Sequence, residues 1–272
     1  MFFLYQILII ILLILSPLII GIRILKKKED KTRFKEKFCL PSKKRVKGNL
    51  IWFHGSSVGE ILSILPLIYE LEKNNSINQI LITSSTLSSA EIFKKFKFTK
   101  TVHQFFPIDS IFFSHKFLKY WKPTITIFVE SEIWPSIFKT LNRKNIPLLL
   151  LNARITKKTF IKWNYIKSFS KNIFRNISIA YPQNNETFNY LKKLNVSKIK
   201  RTGNLKFIDN DQDKQIKLNK TLLKNLRNRK FWCASSTHPG EEVICSKVHI
   251  SLKKKYENLL TCLLYTSPSP RD

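Results

Sequence analysis

The sequence predicts an α/β chain built on a doubly wound, mostly parallel sheet. Two observations predict it. Short apolar, β-rich runs alternate with longer stretches of helical spacing. Several of those runs are apolar at nearly every position, as strands are when helices cover both faces. A third observation stands apart from the sheet: the first 22 residues contain no charged side chain.

In chain order, the charge-free run comes first. Residues 2–22 span about 30 Å as a helix, enough to cross a hydrocarbon core. No basic segment precedes the run and no small-residue cleavage site follows it, which disfavours a cleaved signal peptide. Arg23 and Lys26–Lys28 follow directly, and such a flank stays in the cytoplasm together with what succeeds it. Pro17 inside the run leaves an interfacial helix open beside a spanning one. Residues 1–25 are therefore a membrane anchor, and 26–48 a basic juxtamembrane segment suited to anionic headgroups.

Strands are expected at 49–54, 79–83, 124–129, 147–151, 177–181 and 231–235. Helices are expected at 61–71, 110–121, 157–174 and 186–194. Residues 49–207 form the first domain, and the polar stretch 208–230 reads as a linker. A second βα unit opens at Phe231, and 231–260 begins a second domain. His103 and His115 lie in a Phe-rich, Lys-flanked stretch and read as structural.

The chain has 272 residues with 48 Lys and Arg against 18 Asp and Glu, a net charge of +30. Such a balance suits a polyanionic partner. The Lys residues are spread through every segment rather than gathered in a stripe, and no nucleic-acid motif accompanies them, so a specific nucleic-acid binder is disfavoured. The four cysteines show no metal-ligand spacing and read as reduced thiols.

Ligands of open α/β sheets bind outside the carboxyl ends of the strands, and several predicted strand ends carry unusual residues. After the first comes His54-Gly55-Ser56-Ser57-Val58-Gly59-Glu60. Ser56, Ser57 and Gly59 suit a tight turn with exposed N–H groups. Glu60 fits either a helix-start acid held by the macrodipole or a general base. After the third strand comes Glu130-Ser131-Glu132-Ile133-Trp134-Pro135. Glu130 and Glu132 share a face if the strand continues through them. They are either ion-paired loop acids or a pair whose repulsion raises one pKa for acid–base work. Asn152 and Arg154 end the next strand, and Arg154 suits either an anion or a surface ion pair. Gly203, Asn204 and Lys206 follow later. After 231–235, Ser236, Thr237, His238 and Glu241 suit plain helix capping or a phosphate at a helix N-terminus.

These blocks occur in an order that resembles the bacterial 3-deoxy-D-manno-octulosonic acid (Kdo) transferases. The series also includes Thr83-Ser84-Ser85-Thr86, Phe106-Pro107-Ile108-Asp109, Trp121-Lys122-Pro123 and Leu151-Asn152-Ala153-Arg154. It covers residues 30–258. The resemblance implies a GT-B glycosyltransferase with two Rossmann-like domains. It implies inverting transfer of Kdo from CMP-Kdo to a lipid A precursor, without a metal or other cofactor. Glu60 is then the general base, with Glu130 and Glu132 catalytic on the acceptor side. Ser56, Ser57, Gly59, Asn152 and Arg154 line the acceptor cleft. Gly203, Asn204, Lys206, Ser236, Thr237, His238 and Glu241 serve the donor. The expected location is the inner membrane, with the body on the cytoplasmic side and anionic lipids as partners. The rival is a GT-B enzyme for another membrane-bound glycolipid. The family's second domain continues well beyond 260, whereas 261–272 breaks the Lys/Ile/Asn character of the chain and looks like a non-native tail. The chain is thus expected to be a truncated piece, inactive by itself.

Overall fold

A computed structural model of the chain describes residues 1–201, 203, 205, 226–227, 229–238 and 240–265. It divides into two compact units, Met1–Asn210 and Asp211–Asp272. The first holds a six-stranded parallel sheet of β1 (Leu50–His54), β2 (Gln79–Ser84), β3 (Thr101–Phe105), β4 (Ile125–Val129), β5 (Leu148–Ala153) and β6 (Ile179–Pro182). The strand order is β3-β2-β1-β4-β5-β6. The chain winds outward from β1 to β3, returns to β4 beside β1, and winds outward again. The topological switch point therefore lies between β1 and β4, where such folds place their ligand.

Alternation along the strands makes two cores. Leu50 and Trp52 on β1 join Phe128, Leu148 and Leu150 in one buried cluster with α4 (Ile111–Trp121), α5 (Pro135–Arg143) and α7 (Lys167–Phe174). Phe53 joins Ile80, Ile82, Ile127 and Val129 in the other, with α2 (Val58–Lys73) and α3 (Leu87–Phe93). The Trp52 ring is fully buried among Phe106, Phe117 and Phe128. Truncating such a ring costs about 3–5 kcal/mol.

Four elements of this unit differ from expectation. The anticipated 157–174 helix is two, α6 (Lys157–Tyr165) and α7, with Ile166 at φ −111°, ψ 46° between them. That conformation lies outside the helical well and turns the chain. β3 and α3 were not anticipated. Nor was α5, although Pro135 at its start is a favourable first helical residue. α8 (Asn185–Lys193) is where helical spacing places it. Part of the basic segment after the anchor is taken up by the body. A 3-10 helix, Arg33–Phe38, packs beside β3, with Glu36 buried and accepting from Phe105 N at 2.7 Å. Arg33 pairs with Glu36 and donates to His103 O. His103 bridges Arg33 and Ser84 Oγ; burial, then nearby cations led by Arg33, hold its pKa down at about 3. It is a structural neutral imidazole, while His115 is exposed on α4.

The long apolar helix α1 (Phe2–Leu25) is long and apolar enough to cross a membrane by length and composition. In the second unit, β7 (Phe231–Thr237) pairs in parallel with β8 (Leu260–Tyr265) across α9 (Glu241–Lys253). Most of 208–230 lies outside the described residues.

Candidate functional site at the switch point

The β1–α2 turn is built around one carboxylate. Ser57 caps α2 by accepting from Glu60 N, and its hydroxyl donates to Glu60 Oε1 at 2.9 Å. Ser56 N donates to Glu60 Oε2 at 2.7 Å. This is a variant of the capping box, in which the acid three residues into the helix closes back on the turn. Gly55 lets it close: a Cβ there would come within 3.1 Å of Glu60 Cβ. Gly59 is exposed and would meet nothing within 4 Å, so the space before the helix start stays open. The neighbouring β2–α3 turn buttresses this loop, since Ser89 Oγ donates to Ser56 O at 3.1 Å.

A capping carboxylate at a helix N-terminus ordinarily has a lowered pKa. Glu60 goes the other way, up to about 7. Burial is the largest cause, followed by the negative charge of Glu132 and, more weakly, that of Glu130. The bonds from Ser56 and Ser57 oppose them without prevailing. The group is thus poised to take and release a proton near neutrality. Glu60 thus closes the helix start and has a raised pKa as well.

Across the switch point, β4 ends at Val129. Glu130 then takes a left-handed conformation at φ 56°, Glu130 N donates to Leu151 O, and Arg154 N donates to Glu130 O. The strand does not continue, so Glu130 and Glu132 do not share a strand face. The reversal separates their roles. The Glu130 backbone is tied to β5, and its side chain is buried. Glu132 is turned toward β1. Its Oε2 accepts from Trp134 Nε1 at 2.8 Å and meets His54 Nε2 at 3.2 Å.

His54 is the functional neighbour that residue-by-residue reading left out of the site. It ends β1, is fully buried, and stacks on Phe106 at 3.9 Å between centroids. Its Nδ1 lies 3.0 Å from Thr83 Oγ1, which accepts from Trp52 Nε1 at 2.9 Å. Nδ1 also lies 3.1 Å from Thr83 O, so both ring nitrogens have polar partners. The signal was available: a histidine closing an otherwise apolar strand, directly before a Gly-Ser turn.

The β5 end adds two of the expected residues. Asn152 is buried at φ 52°, and its Oδ1 accepts from Leu205 N at 3.2 Å, holding the stretch that contains Gly203. Arg154 is exposed there. Asn204 and Lys206 lie outside the described residues. Glu60, Glu130, Glu132, Asn152 and Arg154 thus stand at the carboxyl ends of the neighbouring strands β1, β4 and β5 or just beyond them. In the second unit, Ser236 and Thr237 end β7. His238 N donates to Glu241 Oε2 at 2.9 Å and Gly240 N to Glu242 Oε2 at 2.7 Å, closing the start of α9. Among the described residues no group of three or more His, Cys, Asp or Glu could hold a metal ion.

Residues 32–209 match the family described as "3-Deoxy-D-manno-octulosonic-acid transferase (kdotransferase)". The chain is 35% identical to the 3-deoxy-D-manno-octulosonic acid transferase of Rickettsia bellii, over 97% of this chain and 62% of that protein. It is 31% identical to the Haemophilus influenzae enzyme of the same name, over 95% and 62%. Against the Rickettsia prowazekii relative it is 36% identical over 81% of this chain and 48% of that protein. The chain thus spans about half to three-fifths of the relatives it matches. In fold it is similar to the UDP-GlcNAc 2-epimerase of Neisseria meningitidis solved with UDP-GlcNAc. That match has a TM-score of 0.53 at 16% identity and covers 82% of this chain and 67% of the other. The S. aureus MnaA-UDP co-structure also gives a TM-score of 0.53, at 13% identity over 82% and 63%. The parallel six-stranded unit and these neighbours define a GT-B type architecture, and the chain belongs to the 3-deoxy-D-manno-octulosonic-acid transferase family.

Proposed function

We propose that this chain supplies the acceptor side and the opening of the donor side of an inverting, membrane-anchored Kdo transferase. The donor is CMP-Kdo and the acceptor a hydroxyl of a lipid A precursor. The reaction serves lipopolysaccharide synthesis at the cytoplasmic face of the inner membrane. The observation that carries the reading is Glu60: a carboxylate at the switch point, held by Ser56 and Ser57, with a pKa raised to about 7.

Glu60 removes the proton of the acceptor hydroxyl. That oxygen attacks the anomeric carbon, and the bond to CMP breaks with its electron pair leaving on the phosphate oxygen. Glu132, fixed by Trp134 and His54, keeps a negative charge beside Glu60 and so raises its basicity. Glu130 adds to that field. Arg154 faces the anionic groups of the substrates. In the second unit, Ser236, Thr237, His238 and Glu241 meet the nucleotide sugar, together with Gly203, Asn204 and Lys206. The chain spans about half to three-fifths of these relatives' length, and the 272-residue piece alone is expected to be inactive.

The test uses the complete enzyme in membranes, supplied with CMP-Kdo and a lipid A precursor, beside Glu60→Gln. Transfer that collapses in the variant while precursor binding persists supports both the activity and the role of Glu60. Transfer that survives removes Glu60 as the base. No transfer by the intact enzyme points to a different glycolipid acceptor.

A further inference from the structure

Length and composition allow α1 to cross a bilayer, but its packing points elsewhere. Phe2, Gln6, Ile9, Leu13, Ser16 and Ile20 are all partly or fully covered by protein. Their spacing of three and four residues makes a single stripe running the length of the helix. The polar side chains of the apolar run lie on or beside that stripe. Tyr5 OH donates to Asp109 Oδ2 at 2.6 Å, and Gln6 Nε2 donates to Ser136 Oγ at 2.8 Å. Ser16 turns its hydroxyl back to Leu13 O. The rest of the surface, including Leu4, Leu8, Ile11, Leu15, Leu18 and Ile22, is exposed and apolar. A face this large and unbroken calls for an apolar medium.

Both ends of the helix are tied to the same body. At the start, the Phe2 ring sits 6.4 Å from that of Phe169 on α7, and Tyr5 and Gln6 hold Asp109 and Ser136. At the finish, Arg23 pairs with Glu29, which pairs with Lys37 of the 3-10 helix against β3. A helix of 24 residues is about 36 Å long. If it crossed a hydrocarbon core of about 30 Å, one of those ends would have to part from the body.

The charges agree. Arg23 and Lys26–Lys28 mark one end. At the other, Lys139, Arg143 and Arg175 line a cavity of about 410 Å³ with Met1, Phe2 and Phe169, and no carboxylate lines it. Partial burial and the charges of Arg143 and Arg175 hold the Lys139 pKa below its ordinary value, so an anion there relieves repulsion. The positive-inside rule therefore applies to both ends at once.

We propose that α1 does not cross the membrane but lies in one leaflet of an anionic phospholipid bilayer, with a lipid phosphate seated in the Lys139–Arg143–Arg175 cavity. The exposed face of α1 enters the hydrocarbon, and both ends stay on the side of the body. This rests on the membrane-anchored reading above. It also presents the bilayer to the start of α5, directly after Glu132 and Trp134: Asp109, which receives Tyr5, accepts from Ser136 N and Ile137 N at 2.9 and 2.8 Å.

The test adds the full chain, carrying different flexible peptide tags at its two ends, to sealed vesicles of phosphatidylethanolamine and phosphatidylglycerol. External protease should remove both tags. Loss of the C-terminal tag with protection of the N-terminal one overturns the in-plane helix while leaving the membrane reading intact. Failure to float with the vesicles overturns both. Replacing Lys139, Arg143 and Arg175 together by Ala should lower affinity for these vesicles roughly a hundredfold, with little change toward neutral phosphatidylcholine vesicles. Unchanged affinity for the anionic vesicles removes the cavity from the proposal.

Discussion

The turns that carry Glu60 and Glu241 are made from the same local parts but sit in different surroundings. Each follows a strand, contains Gly with hydroxyl residues close by, and ends in an acid in the first turn of a helix. Each acid bonds a backbone N–H of its own turn, from Ser56 to Glu60 and from His238 to Glu241. Glu241 stands exposed, and capping is sufficient account of its geometry. Glu60 lies in a partly buried turn facing Glu132 across the switch point, and its pKa rises to about 7 although it caps a helix. The same capping chemistry goes with a raised pKa where the turn is buried and a second strand end brings another carboxylate.

The largest test of that contrast is catalytic. In the complete enzyme, Glu60→Gln should lower kcat by about 10²–10⁴-fold. Glu241→Gln should act mainly on the KM for the donor. Equal losses of kcat in both variants would break the comparison.

The next effect is on stability. The folded pKa of Glu60 lies above the ordinary carboxylate value of 4.5, so its protonation stabilises the fold. That contribution is fully present below about 4.5 and is lost as pH rises through about 7. Glu60→Gln should therefore raise stability at pH ~8 relative to pH ~4, by about 1–3 kcal/mol after solvent screening. Denaturant unfolding at the two pH values measures it. A difference independent of pH would mean that Glu60 is not tuned.

Smaller is the loss of the cap. Ser57→Ala should cost about 1 kcal/mol of stability. It also removes a bond that lowers the Glu60 pKa, so the acid limb of the pH–rate profile should move upward. Smallest is Glu132→Gln, which keeps an acceptor for Trp134 and removes one charge. The acid limb should then shift below pH ~7. An unmoved limb would assign the raised pKa to burial and Glu130.

Six of the eight strands among the described residues were legible because their apolar runs are nearly unbroken. β3 was not, since Thr101-Val102-His103-Gln104-Phe105 places three polar residues where a buried strand expects apolar ones. His103 is tolerable there only because Arg33 and Ser84 receive it, and those partners lie 70 and 19 residues away. α5 was hidden for a related reason. No side chain at its N-cap residue, Trp134, bonds the helix start. Asp109 accepts from Ser136 N and Ile137 N instead, from 27 and 28 residues away. At the site, Glu60, Glu130 and Glu132 could be named from their strand-end positions. His54 carried the same strand-end signal, whereas nothing local marked the left-handed turn at Glu130.

The sequence by itself determined the alternating α/β plan, the apolar helix, the basic surface and the order of motif blocks that marks the family. Those features depend on periodicity, composition and local turn chemistry, which neighbouring residues decide among themselves. The tertiary structure decided which acid has a raised pKa, which histidine is held neutral and which face of α1 the body covers. Each of these depends on groups far apart in the chain, and a pKa or a helix orientation answers to the charges and surfaces that folding brings near.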